Sequence, residues 1–238
     1  MYLSSFANTT VAARRIAYPS YKSLDPFIDV DQLKSLDEYL TVKIREHIRC
    51  GVKDLFLNEH RLDPGTPHEP GVREVWLSRT KPGTPYNYLD LDKAELWEPS
   101  EWASQFSLLM DFIETLPFER TGRMLIIYDD KGCEVPAHRD HLEKDVCHEF
   151  IWFRTNLRKP FFMYNQETGE KLYVKSHSAW FDTVNQFHGS DAVPGLSFSV
   201  RVDGLFNSEF RKNIPILSSN AAATPALWST AEHPDDKP

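Results

Sequence analysis

Apolar residues recur at helical spacing in two stretches of the chain. In DVDQLKSLDEYLTVKIREHI (29–48), Leu33, Leu36, Leu40, Ile44 and the pair His47/Ile48 form one stripe, with charge on the opposite face. In EPSEWASQFSLLMDFIETLP (98–117), Trp102, Phe106, Leu109, Ile113 and Leu116 do the same; Ser100 is placed to cap the start and Pro117 to end it. Between them, REVWLSR (73–79) has the look of a strand. TKPGTPYNYLDLDKAELWEPS (80–100) reads either as a plain connection or as a lid over an active site. From residue 121 the pattern changes. RMLIIYDD, CEVPAH, HEFIWFRT, FFMYN, KLYVKS, AWFDTV and LSFSVRVDG are short runs rich in β-branched and aromatic residues, separated by turn signals such as KG, NQETGE and VPG. That succession predicts an all-β sandwich or barrel. The chain therefore divides into a helical part (1–120) and a β core (121–210) of one domain over 1–219, followed by a small-residue tail (220–238) expected to be flexible.

Composition narrows the picture. At 238 residues, 41% of them hydrophobic, the chain can fill one substantial core, and 13% aromatic content suits a β-rich fold or an aromatic-lined pocket. A net charge of −8 without a basic stripe argues against nucleic acid as a partner. Cys50, Cys133 and Cys147 are odd in number and widely spaced, which fits reduced thiols better than disulfides or a zinc site. No stretch approaches membrane-spanning length, and the start MYLSSFANTTVAARRIAYPS lacks a signal-peptide core. The expectation is a soluble, cytoplasmic protein with no membrane partner. Oligomeric state stays open.

The chemistry centres on VPAHRDH (135–141). Residues i and i+2 of a strand share a face, so His138 and Asp140 can bind one ion while Arg139 points away. A third ligand, His188 of VNQFHGS, comes from a later strand. Two histidines and one carboxylate form the facial triad of non-haem iron(II) oxygenases, which leaves places open for a 2-oxo acid and dioxygen. In LSFSVRVDG, Ser197, Ser199 and Arg201 alternate with apolar residues and share one face. A buried arginine there calls for an anion, and its planar fork matches the distal carboxylate of 2-oxoglutarate. The bland alternative is a wet face with Arg201 at the surface. His47, His60, His68, His177 and His233 read as solvated or structural, and His141 has the wrong spacing to share the strand face.

The segments GRMLIIYDDKGCEVPAHRDH, HEFIWFRTN, WFDTVNQFHG and VRVDG, with Thr155–Asn156 and with Trp180 ahead of His188, resemble the aspartyl/asparaginyl β-hydroxylase-like family of Fe(II)/2-oxoglutarate oxygenases, which includes bacterial free-proline hydroxylases. The resemblance spans roughly 121–204. It implies a mainly β fold with flanking helices, a double-stranded β-helix (the cupin-like jelly roll), with His138, Asp140 and His188 as iron ligands. Two places depart from the family. His148 and Phe150 stand where it carries an arginine and a histidine, so His148 is either a co-substrate contact or a packed strand histidine. Ser197 stands where the later arginine falls, and Arg201 takes that role from a deeper position.

Together these readings predict an Fe(II)-dependent oxygenase that consumes 2-oxoglutarate and O2 and hydroxylates an unactivated C–H bond of a small-molecule substrate, an amino acid or related metabolite. A protein side chain is the alternative substrate. A carboxylate at Asp140 disfavours halogenation, because related halogenases need a small residue there for chloride. Two other classes remain: a cupin-like metal enzyme that needs no oxo acid, and a non-catalytic β-helix that binds a partner in its groove.

Overall fold

Along the last long strand, polar Ser197, Ser199 and Arg201 line an internal cavity, while Val200 and Val202 join an apolar core shared with helices. That alternation organises the fold. In the computed structural model the described residues are 20–51, 55–56, 72–140, 148–184 and 186–214. The tail 220–238, His60, His68, His141, His233 and Cys147 lie outside them.

The strands are β1 (Lys22–Ser23), β2 (Leu55–Phe56), β3 (Val72–Trp76), β4 (Ser78–Thr80), β5 (Trp97–Pro99), β6 (Phe118–Asp129), β7 (Val135–His138), β8 (Phe150–Phe153), β9 (Phe161–Tyr164), β10 (Lys171–Tyr173), β11 (Ser178–Trp180), β12 (Phe187–Ser190) and β13 (Ser197–Phe206). One sheet has the order β1-β11-β8-β13-β6-β3-β2 and a second the order β10-β9-β12-β7; β4 and β5 form a separate ribbon. From β6 onward the chain winds between the two sheets: β6, β8, β11 and β13 enter the first, while β7, β9, β10 and β12 enter the second. All these pairings are antiparallel. This is the winding of a double-stranded β-helix, the mainly β fold expected above.

The helices are α1 (Val30–Ser35), α2 (Asp37–Arg49), α3 (Ser107–Glu114) and α4 (Ser208–Arg211). The single helix expected over 29–48 is in fact two. Asp29 caps α1 by accepting from the Gln32 amide at 2.8 Å, and the chain breaks at Leu36 (ψ −7°) before α2 begins. The stripe is nonetheless buried at Leu33, Leu36, Leu40, Ile44 and His47. The second expected helix starts as a 3-10 turn (Ala103–Phe106), where the Ser100 Oγ accepts from the Trp102 amide, and becomes α-helical only at Ser107. Phe112 of α3 meets Phe153 of β8 edge-on at 5.4 Å. Each such fully buried side chain stabilises by roughly 1.5–3 kcal/mol.

The part expected to be helical also lengthens the sheet, with β1 beside β11 and with β3 and β2 beyond β6. The Thr155–Asn156 pair fastens the end of β8 to α2: both side chains donate to Asp37, Asn156 at 2.6 Å. His47 packs edge-on against Trp102 at 4.8 Å, a structural role. Among the described residues no helix is long and apolar enough to cross a membrane.

Candidate metal centre

His138 ends β7 and sits directly opposite His188 on β12. The next aligned pair is Ser190 with Val135, so β7 carries one more residue than β12 across this interval. The irregularity falls at Pro136–Ala137, where proline has no amide to give to the ladder. Close approach of the two strands needs Gly189: a Cβ there would lie 2.4 Å from the Val135 carbonyl oxygen. Asp140 lies just past the strand rather than on it, and its amide donates to the Thr183 carbonyl at 2.9 Å. Arg139 turns the other way and stacks on Phe187 at 4.9 Å.

The donor atoms of His138, Asp140 and His188 lie within 4.8 Å of one another. Asp140 Oδ1 is 3.2 Å from His188 Nε2 and 3.7 Å from His138 Nε2. His138 Nδ1 is 2.8 Å from the Pro136 carbonyl, and His188 Nδ1 is 3.2 Å from that of Gln186. A carbonyl only accepts, so Nδ1 of each ring is the donor in these contacts, and Nε2 is the nitrogen turned toward Asp140 and available to a metal. Two imidazole nitrogens and one carboxylate oxygen, with no thiolate, form a donor set that fits a divalent ion such as Fe(II).

The structure gives Arg201 different neighbours from those expected. Its Nη1 donates to Asp140 Oδ2 at 2.7 Å, and its Nε and Nη2 lie 3.0 and 2.9 Å from Asp203 Oδ1. Asp203 Oδ2 in turn accepts from Arg123 Nε at 2.9 Å. The guanidinium of Arg201 also lies 4.1 Å over the Phe150 ring. Arg201 is therefore spent beside the triad, while Ser199 and Ser197 step away from it along the cavity wall. His148 is buried, packs edge-on to Tyr88 at 4.8 Å, and does not line the main cavity.

At the far end of the cavity lie Ser197, Asp129, Arg154 and Lys159. Lys159 Nζ donates to Asp129 Oδ2 at 2.6 Å and to the Cys133 carbonyl at 2.7 Å. Arg154 donates to backbone carbonyls of Lys159, Val174 and Ser176; burial pulls its pKa down to about 10, so it stays a cation at neutral pH. Ser197 Oγ is buried with no hydrogen-bond partner among the described residues. Lys159 was missed in the sequence because it precedes a strand rather than lying on one.

The loop over 80–100 has structure of its own. Tyr88, Leu91 and Trp97 form a small core with Trp76 and Tyr86 packed against it, and the Tyr88 hydroxyl lies 3.4 Å from Asp140 Oδ2. Its dense aromatics were the sequence signal for this. Asp92 of the same loop is half-buried; burial pushes its carboxyl up to about 6, with Asp203 and Glu149 adding to the effect. The folded chain thus holds this proton more tightly than the unfolded one. The contribution is full below the ordinary value of 3.8 and is lost as pH rises through about 6. Asp92→Asn should therefore raise the melting temperature at pH 7.5 and make no difference at pH 3.5. Melts at the two pH values check this, and an equal gain at both would assign it to packing.

No family model and no curated protein matches the chain. Among solved structures it is similar to a prolyl-4-hydroxylase of Pseudomonas putida (13% identity, TM-score 0.43, over 84% of this chain and 99% of that one). It is also similar to a prolyl hydroxylase from Trichoplax adhaerens in complex with a hypoxia inducible factor peptide fragment (9% identity, TM-score 0.45, over 89% and 96%). Likenesses this distant say nothing about activity; the site's own geometry has to.

Proposed function

We propose that the chain is an Fe(II)- and 2-oxoglutarate-dependent oxygenase that hydroxylates an unactivated C–H bond of a small amino acid or related metabolite. The observation that carries this reading is the convergence of two imidazole nitrogens and one oxygen of Asp140 at the wall of a partly open β-helix cavity. His138, Asp140 and His188 would hold the metal. Bound iron would supply the redox chemistry by which dioxygen and 2-oxoglutarate yield succinate, carbon dioxide and an alcohol.

Charge supports a dianionic co-substrate. Beside the triad, Asp140 and Asp203 pair with Arg201 and Arg123, so a bound dication adds positive charge that an anionic co-substrate would offset. At the far end, Lys159 meets the carboxylate of Asp129, while the Arg154 cation is held by backbone carbonyls with Asp25 acting on it from outside the cavity lining. His188 and Ser190 line the same wall two residues apart, about 7 Å along a strand, a reach suited to an extended five-carbon diacid. In this reading the distal carboxylate meets Lys159 and Ser197, and Arg201 has another task. The cavity of about 110 Å³ suits a metabolite better than a folded protein.

The decisive experiment measures succinate release from Fe(II), 2-oxoglutarate and O2 across a panel of free amino acids. Stimulated turnover with one of them is expected; no 2-oxoglutarate consumption under any condition would move the reading to the cupin-like alternative. Lys159→Ala should raise the KM for 2-oxoglutarate roughly ten- to hundredfold, the range for losing one charge-assisted contact of about 1.5–3 kcal/mol. An unchanged KM would mean that the distal carboxylate is held elsewhere.

A further inference from the structure

We infer that Arg201 is a positioning residue for Asp140: it holds one carboxylate oxygen back, so that a single oxygen faces the metal. This rests on the metal site proposed above. The two oxygens of Asp140 have different surroundings. Oδ1 faces both histidine Nε2 atoms, at 3.2 and 3.7 Å, whereas Oδ2 accepts from Arg201 Nη1 at 2.7 Å. A carboxylate free to rotate can chelate an ion through both oxygens, which would occupy a place that the oxo acid or dioxygen requires. With Oδ2 committed to a guanidinium, Asp140 is a one-oxygen ligand.

Arg201 can do this because it is itself fixed by two neighbours besides Asp140. Two of its nitrogens lie at 3.0 and 2.9 Å from Asp203 Oδ1, and its planar face lies 4.1 Å over Phe150. Asp203 is fixed in turn by Arg123 on the neighbouring strand β6, at 2.9 Å. Arg123, Asp203 and Arg201 are all buried. Rigid β-sheet thus reaches the metal ligand through a row of charge-assisted hydrogen bonds. The row also explains why Asp140 can be ordered although it lies beyond the end of its strand.

The alternative role, a buried cation near the site, predicts the opposite sign. Removing a positive charge beside a dication would tighten metal binding, because repulsion falls. Removing an orienting hydrogen bond weakens it, typically ten- to hundredfold for groups that hold a ligand from behind. The test is titration of full-length apoprotein with Co(II), followed by its visible absorption, for wild type, Arg201→Met and Arg201→Lys, well below each protein's melting temperature.

The expected result is a Kd for Co(II) at least tenfold higher in Arg201→Met, with Arg201→Lys recovering only part of the loss, because lysine restores the charge but not the fork that spans Asp203 and Asp140. An equal or tighter Kd in Arg201→Met overturns the inference while leaving the metal site standing. A wild type that binds no Co(II) overturns both. Should Arg201→Met not fold, Phe150→Leu keeps every charge and removes only the ring under the guanidinium. It is expected to weaken Co(II) binding severalfold, and an unchanged Kd there overturns the inference equally. Tyr88→Phe separates the other neighbour of Oδ2. Its hydroxyl, at 3.4 Å, is at the limit of a hydrogen bond, so its loss should change Kd less than threefold; a larger effect than that of Arg201→Met would transfer the role to Tyr88 and overturn the inference.

Discussion

Asp140→Ala should abolish metal binding in the micromolar range, while Arg139→Ala, one residue away, leaves it intact. The contrast follows from geometry. Asp140 contributes the only anionic donor of the triad, and its Oδ1 lies between the two imidazole nitrogens. The two imidazoles that remain on adjacent strands hold a ferrous ion weakly, so the loss should exceed the roughly ten- to hundredfold that changes behind a ligand cost. The same substitution leaves Arg201 Nη1 without the Asp140 oxygen at 2.7 Å, which raises electrostatic repulsion of any entering cation. Arg139 instead places its guanidinium over Phe187, and its side chain is not one of the three donors. Direct Fe(II) or Co(II) titration of both variants checks this. Equal loading of wild type and Asp140→Ala would remove the triad, and with it the oxygenase reading.

What the sequence made legible follows from range. The alternation at Ser197, Ser199 and Arg201 against Val200 and Val202 is a property of one strand, so the inward face of β13 was readable from a few residues. The fold class followed because seven such runs succeed one another with turns between them. β1 and β2 were not readable, since two residues show no period, and each forms by pairing with a strand elsewhere in the chain. The break at Leu36 was hidden because the apolar stripe runs through it unchanged. At the site, a buried arginine demands an anion, which sequence shows; which anion it meets is set by tertiary packing. Asp203 shares the strand face of Arg201 two residues on and was visible in principle. Asp140 lies 61 residues away. The His138–x–Asp140 spacing predicts one strand face, and the donors do converge, but through a bulge at Pro136–Ala137 and a hydrogen bond to Thr183, neither of which a spacing rule contains.

Asp203→Asn should be the most destabilising conservative substitution in the β core, by about 3–5 kcal/mol, the cost of breaking a buried ion pair from one side. For a chain of this size that corresponds to a fall in melting temperature of roughly 6–20 °C. Asp203 and Arg123 are both wholly buried, and Asp203 divides its two oxygens between two guanidiniums: Oδ2 to Arg123 and Oδ1 to Arg201. An amide keeps the shape but removes the charge, and one of its two atoms becomes a donor pointed at an arginine. Arg123 suffers most, because its Nη1 and Nη2 find no acceptor among the described residues and Asp203 is its charge partner. Arg123→Met alone should cost less, since Asp203 keeps Arg201. The double variant Arg123→Met/Asp203→Asn should then be more stable than Asp203→Asn alone, because the stranded buried cation is gone; coupling of about 1–3 kcal/mol is expected for groups in direct contact. Thermal or urea melts of the four proteins of this cycle, without metal, measure it. Strict additivity would show that Arg123 and Asp203 are held independently and that the row of charges behind Asp140 is not a mechanical unit.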